Sequence, residues 1–205
     1  MCARYTYNKD TAKLTLWEKL VVYGIVPRGD IRPTDLGPVI LPEFEGLAAR
    51  EFRWGWTVPW DKKPLINAKS ETLMTLPTFQ PHLEQRCLLP ADGFYEGGAY
   101  FYKGSDIALR SPGQEGPSDR TAQRSVPTES ETFFFGGLWR EEAGIKKYTL
   151  LTTTPNDSVA PFHDRMPFII RPDDFKDWVR GDWQRVLNSP DKSPLEKFQK
   201  QPELF

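Results

Sequence analysis

Residues 86–102, Arg86-Cys87-Leu88-Leu89-Pro90-Ala91-Asp92-Gly93-Phe94-Tyr95-Glu96-Gly97-Gly98-Ala99-Tyr100-Phe101-Tyr102, hold three short apolar or aromatic runs parted by Asp-Gly and Gly-Gly. Runs this short, bounded by turn residues, read as strands. Arg86 to Pro90 is expected to be a buried strand, with Gly93 to Glu96 and Tyr100 to Tyr102 paired after it. The pattern continues outward. Downstream, Thr132 to Trp139, Lys147 to Thr153 and Pro167 to Ile170 read as further strands. Upstream, Phe52, Trp54 and Trp56 alternate in Glu51 to Trp60, Val39 to Leu41 is a short apolar strand, and Tyr5 and Tyr7 show the two-residue period.

Helical signals are few. Leu14, Trp17, Leu20 and Val21 share one face of a helix expected to begin near Thr11 and stop at Gly24 to Pro27. Pro172 stands where a first helical residue should, with Phe175, Trp178 and Val179 on one face and Gly181 as the stop. Thr72 to Leu83 is helical only in pieces, because Pro77 and Pro81 each remove a backbone donor. Residues 111–131, rich in Ser, Pro, Gly and charge, read as a mobile loop inserted in a hairpin. The Pro- and Lys-rich tail from about residue 189 is expected to be weakly ordered.

At 205 residues the chain is most economically one domain, 1–205, able to bury a substantial core. With 15 Gly and 19 Pro, turns are too frequent for a long-helix bundle. The net charge of −1 excludes nucleic-acid binding by bulk positive charge and leaves room only for a local basic groove. No apolar run reaches the roughly 18 residues of a membrane span, and the N-terminus lacks a signal-peptide core. A cytoplasmic protein with two free thiols, Cys2 and Cys87, is expected. No Cys-x-x-Cys, His-Glu-x-x-His or phosphate-loop pattern occurs, so neither a metal nor a cofactor is expected.

Cys2 is the most unusual residue. Loss of Met1 places an α-amine and a thiol on one residue, with reference pKa values of about 7.7–8.0 and about 8.5. Such a pair condenses with an aldehyde to a five-membered thiazolidine. Alone, a cysteine at position two also fits a frayed terminus. Only His82 and His163 can do imidazole chemistry. His82 follows Pro81 and reads as a surface residue, whereas His163 lies in Phe162-His163-Asp164-Arg165-Met166 between a carboxylate and a guanidinium. A turn-capping histidine is the plainer local reading of His163. Asn67, in Asn67-Ala68-Lys69-Ser70-Glu71-Thr72, serves as a cap or orients an amine. Glu96 is either a solvent-facing strand residue or a carboxyl raised by apolar neighbours. Trp54, Trp56 and Trp60 fit core packing or base stacking.

Together, Met1-Cys2-x-Arg4, Arg32-Pro33-Thr34, Trp54-Gly55-Trp56 to Trp60, Asn67 to Thr72, Arg86 to Glu96, Gly136-Gly137-Leu138-Trp139 and His163 to Pro167, in that order, resemble the SOS response-associated peptidase (SRAP) family of abasic site processing proteins. The likeness spans roughly Met1 to Ile170. It implies an α+β, strand-rich domain with a mostly antiparallel, barrel-like sheet and a few flanking helices. It also implies that Cys2 captures an abasic site in single-stranded DNA as a thiazolidine crosslink, with associated lyase character and autoproteolytic removal of Met1. Carried over by position, Asn67 would hold the Cys2 amine or the opened sugar, Glu96 would act as acid and base, and His163 would assist proton transfer. Arg4, Lys69, Arg165 and Thr152 would contact DNA. No membrane or metal is implied, and a monomer is expected. Three positions depart from the family pattern: Ala3 for Gly, Asp30 for Asn, and Gly97-Gly98 where an aromatic is common. A cysteine peptidase using Cys2 and His163, or a non-catalytic single-stranded DNA-binding module, are the competing readings.

Overall fold

The structure, a computed structural model, describes residues 2–7, 29–44, 46–104 and 130–199. The helix expected from Thr11 and nearly all of the 111–131 loop lie outside the described residues. In chain order the strands are β1 (Tyr5–Tyr7), β2 (Gly29–Ile31), β3 (Leu36–Glu43), β4 (Gly46–Trp54), β5 (Trp56–Val58), β6 (Asp61–Leu65), β7 (Asn67–Lys69) and β8 (Arg86–Ala91). They continue with β9 (Gly93–Glu96), β10 (Ala99–Gly104), β11 (Ser130–Glu131), β12 (Phe133–Glu142), β13 (Ile145–Thr153), β14 (Met166–Pro167) and β15 (Ile169–Ile170). Helices α1 (Phe175–Arg180) and α2 (Trp183–Leu187) precede a last strand, β16 (Glu196–Gln199).

Strand β13 pairs with both β4 and β12, and β3 and β8 complete the circuit, so β13-β4-β3-β8-β12 closes on itself as a five-stranded barrel. Closure removes the exposed edges that an open sheet of these strands would carry. The β13–β4 pairing and the β13–β7 pairing are parallel, and the other barrel pairings are antiparallel. A second sheet runs β11-β10-β9-β1-β2, with β16 also paired to β10. The fold is therefore the strand-rich α+β architecture implied by the resemblance.

Two-residue alternation explains the core. Phe52, Trp54 and Trp56 are buried while Glu51, Arg53 and Thr57 are exposed. Trp54 meets Tyr5 edge-on at 5.2 Å and stacks on Tyr148 at 6.1 Å, and the Tyr5 and Tyr148 hydroxyls share a hydrogen bond of 2.7 Å. Pairing these hydroxyls with each other removes the cost of burying them, which for an unpaired group is about 1–3 kcal/mol. Gly55, at φ 107°, turns the chain out of the barrel into the β5–β6 hairpin, and a Cβ there would lie 2.6 Å from Pro64 Cβ.

Thr72 to Leu83 holds only short 3-10 turns, at Ser70–Thr72 and Gln80–His82, as its prolines predict. Pro172 opens a 3-10 turn that leads into α1, which ends at Gly181. Two expectations differ from the structure. His82 is half-buried, edge-on to Trp56 at 5.1 Å, because the broken segment packs against Trp56, which Phe79 also meets at 5.7 Å. The segment after residue 189, expected to be weakly ordered, is tied down as far as residue 199: Asp191 is buried in an ion pair with Lys103 at 2.6 Å, Leu195 is buried, and β16 pairs with β10. Edge pairing needs little apolar sequence, so composition alone does not reveal it. Among the described residues no helix is long and apolar enough to cross a membrane.

Candidate active site

Strand β1 lies between β2 and β9, with Tyr5 opposite Phe94 and Thr6 opposite Gly93. The Tyr95 amide donates to Arg4 O at 2.9 Å, extending the ladder, and the same register brings Glu96 level with Ala3. Pairing of one short strand thus carries the N-terminus to the end of β9. Asn67 arrives from the barrel, because β7 runs parallel to β13 with Asn67 opposite Leu150. His163 comes from the loop after β13.

These four residues meet in pairs. Asn67 Nδ2 donates to the Cys2 carbonyl at 2.8 Å. Asn67 is only 7% exposed, and its Oδ1 is buried with no hydrogen-bond partner among the described residues. An orphaned acceptor beside the Cys2 backbone is the kind of vacancy a substrate group or an amine fills. Glu96, also 7% exposed, places Oε1 3.6 Å from His163 Nε2. The backbone N–H of Arg165 donates to His163 Nδ1 at 2.9 Å, which leaves the neutral ring's proton on Nε2, facing Glu96. Asp164 Oδ1 also stands 2.9 Å from Nδ1 and favours a proton there. The backbone donor is fixed and Asp164 is 86% exposed, so the amide selects the tautomer.

The thiol differs from the reference arithmetic. Cys2 is fully buried, and burial pushes its thiol up to about 12, with the Glu96 charge adding to the rise. The useful thiolate fraction expected at a reference pKa is therefore absent at neutral pH. Cys87 is buried too, and its thiol is likewise raised.

The residues expected to contact DNA divide. Lys69 is exposed at the end of β7. Thr152 is fully buried and faces inward, where its carbonyl and hydroxyl accept from Arg165 at 2.7 and 3.3 Å, so it offers no surface to a ligand. Arg165 makes a two-pronged pair with Glu71, both contacts at 2.8 Å. The Arg165 guanidinium in turn holds the Glu71 carboxyl below its ordinary range. Arg4 lies 4.0 Å over the Tyr95 ring and pairs with Asp30, which Arg32 also approaches at 3.8 Å. Tyr95 and Glu71 received no role from sequence reasoning, although both lie inside motifs that carry the resemblance. Of the three tryptophans left open, Trp54 and Trp56 belong to the core, and Trp60, at the β5–β6 turn, is 68% exposed. Ala3 is exposed. Among the described residues no cluster of three metal-ligating side chains occurs.

The sequence matches the family model SRAP, described as SOS response associated peptidase, over residues 1–202. The chain belongs to the SRAP family. Among SRAP relatives, abasic site processing protein YoqW of Bacillus subtilis is 29% identical over 222 residues, covering 97% of this chain and 92% of that protein. Abasic site processing protein YoaM, from the same organism, is 30% identical over 196 residues, covering 87% and 79%. A crystal structure of a Bordetella bronchiseptica protein shares the fold at a TM-score of 0.68 and 23% identity, covering 96% of this chain and 98% of that one.

Proposed function

We propose that this chain captures abasic sites in single-stranded DNA as a covalent thiazolidine on Cys2. The observation that carries the reading is the convergence of the Cys2 backbone, held by Asn67 with its second amide atom unfilled, on the Glu96–His163 pair. The abasic site processing names of the relatives support the substrate class.

Hydrolysis of the Met1–Cys2 bond frees the α-amine, and Asn67 Oδ1 is the acceptor for one of its protons. An abasic deoxyribose is mostly a closed hemiacetal. Ring opening needs a proton delivered to the ring oxygen and another removed from the hydroxyl on C1, which Glu96 and His163 supply as an acid–base pair. The amine then adds to the C1 aldehyde, and loss of one water leaves an imine. Because the thiol is neutral at pH 7, the amine attacks first and sulfur second. Sulfur adds to the imine carbon as its proton passes to the imine nitrogen through Glu96 or His163, closing the ring. The net change is two new bonds, C–N and C–S, for one C=O lost as water. While the imine persists, loss of a C2 proton opens a β-elimination route to strand cleavage, which accounts for lyase character; thiol addition shuts it. Exposed Trp60 and Lys69 and the Arg4–Tyr95 platform supply stacking and phosphate contacts for a single strand.

A cysteine-peptidase reading is less well supported. It needs a thiolate paired with an imidazole, whereas the buried Cys2 thiol is raised to about 12 and His163 Nε2 faces Glu96. The deciding test is a denaturing gel with intact-mass analysis on protein lacking Met1, incubated with single-stranded DNA bearing one abasic site, beside Cys2→Ala. A Cys2-dependent adduct of DNA mass less one water is expected. Undiminished adduct from Cys2→Ala, or none from the unmodified protein, overturns the reading.

A further inference from the structure

We propose that Asn156 is the positioning residue for His163, and that the 191–199 segment reaches the chemistry through it; the proposal rests on the capture reading above. Neither Asn156 nor that segment touches a reacting atom. His163 sits in a stretch with no strand of its own, between β13 and β14, so something other than sheet pairing must fix it.

Asn156 closes the turn on which His163 rests. Its carbonyl and its Oδ1 both accept from the Val159 amide at 3.1 Å, and its carbonyl also accepts from Ala160 at 2.9 Å. Val159 O then accepts from Phe162 at 2.8 Å and from His163 at 3.1 Å, stacking a second turn on the first. The amide of Asn156 donates to Met166 Sδ at 3.2 Å, so the turn is pinned on the far side of His163 as well. Asn156 is 6% exposed, and its remaining group, Nδ2, donates to Ser193 O at 2.7 Å.

That last bond joins the turn to the C-terminal segment, which makes further contacts with the same loop, among them a bond from Lys192 Nζ to Thr154 Oγ1 at 3.0 Å. The Leu195 amide donates to Ser158 Oγ at 3.0 Å, and Lys197 Nζ lies 4.7 Å over the Phe162 ring. The segment is itself anchored by Asp191, whose amide donates to Ile169 O at 2.9 Å and whose carboxylate pairs with Lys103. Beyond it, β16 pairs with β10, the hairpin partner of the strand that ends in Glu96. The tail therefore bridges the two carriers of the acid–base pair, the Glu96 hairpin and the His163 loop. The hairpin turn abuts the loop directly, since a Cβ on Gly97 would come within 2.8 Å of Phe162 O. A 3.6 Å separation between Glu96 and His163 is set by this bridge, and a displacement of about 1 Å is enough to slow proton transfer severely.

Asn156→Asp separates the two duties of the side chain: a carboxylate still accepts from Val159 but cannot donate to Ser193. Ser158→Ala removes the neighbouring contact more gently. Each is made in the full chain lacking Met1, alone and combined with His163→Ala, and crosslinking rate is read on abasic single-stranded DNA, with non-covalent affinity read on the same strand without the lesion. Asn156→Asp is expected to slow crosslinking by about tenfold or more with affinity unchanged. In the His163→Ala background the further loss should fall below about twofold, because the group being positioned is gone. Ser158→Ala should show the same pattern at about threefold, and decides alone if Asn156→Asp does not fold. Equal losses in both backgrounds, or none in the unmodified background, overturn the proposal while leaving capture intact. No adduct from the unmodified protein overturns capture and this proposal together.

Discussion

The two arginines expected to contact DNA both hold a carboxylate, but on different terms. Arg165 pairs with Glu71 through both prongs, is supported by Thr152 beneath, and has a side chain only 11% exposed. Arg4 pairs with Asp30 through one nitrogen, rests on the open face of Tyr95, and is 37% exposed. Glu71 is 44% exposed and keeps water if Arg165 is lost, but the buried Thr152 carbonyl beneath loses its donor, while an exposed pair exchanges one partner for another at little cost. Arg165 is thus a strut beside His163, and on the proposed function Arg4 is the arginine whose partner a phosphate would replace.

The largest test of that contrast is Arg165→Ala, expected to cost about 2 kcal/mol in unfolding free energy and to lower the thermal midpoint by several degrees. A loss of DNA affinity with no loss of stability would reverse the assignment. A third group of charges gives the contrast a pH axis. Burial works to raise the Glu142 carboxyl, but hydrogen bonds from Lys147, Arg140 and the Thr57 amide outweigh it and hold it at about 2. A carboxyl depressed in the folded state stabilises fully above its unfolded value of about 4.3, and that contribution is lost as pH falls toward 2. Glu142→Gln should therefore cost about 1 kcal/mol at pH 7, and thermal melts of variant and parent should converge between pH about 4 and about 2. Divergence that persists at pH 2 would show that packing, not charge, supplies the stability.

On the open side, Arg4→Ala should leave stability within about 0.5 kcal/mol. It should weaken binding of lesion-free single-stranded DNA by about three- to tenfold at low salt and reduce the slope of log affinity against log salt by about 0.7. The smallest effect belongs to Asp30→Asn, which frees Arg4 from its competitor. Fluorescence anisotropy should show binding about two- to threefold tighter at low salt, the gain fading as salt rises. An unchanged affinity would mean that Arg4 does not leave Asp30 for DNA.

The sequence was legible where burial is periodic. Phe52, Trp54 and Trp56 announce an inward strand face, and Pro77 and Pro81 break a helix before it forms. It was silent where structure depends on edge pairing and ion pairs. The tail from residue 189 has little apolar content, yet Asp191 meets Lys103 in a buried pair and β16 finds the free edge of β10. At the site, residue type left plainer alternatives open for Cys2, Asn67, Glu96 and His163 and the family resemblance singled them out, whereas Arg165 and Thr152 carry protein partners that no local pattern reveals.

Read alone, the chain determined its strand-rich class, its turn positions and the chemical character of an N-terminal cysteine, because these depend on side-chain period, backbone permission and intrinsic reactivity. Only the tertiary structure decided which groups meet. The barrel delivers Asn67 and the second sheet delivers Cys2 and Glu96, and their convergence is set by strand register over long sequence separation. It also decided that the Cys2 thiol stays neutral, since a pKa depends on the solvent a fold excludes and not on the residue's neighbours in sequence.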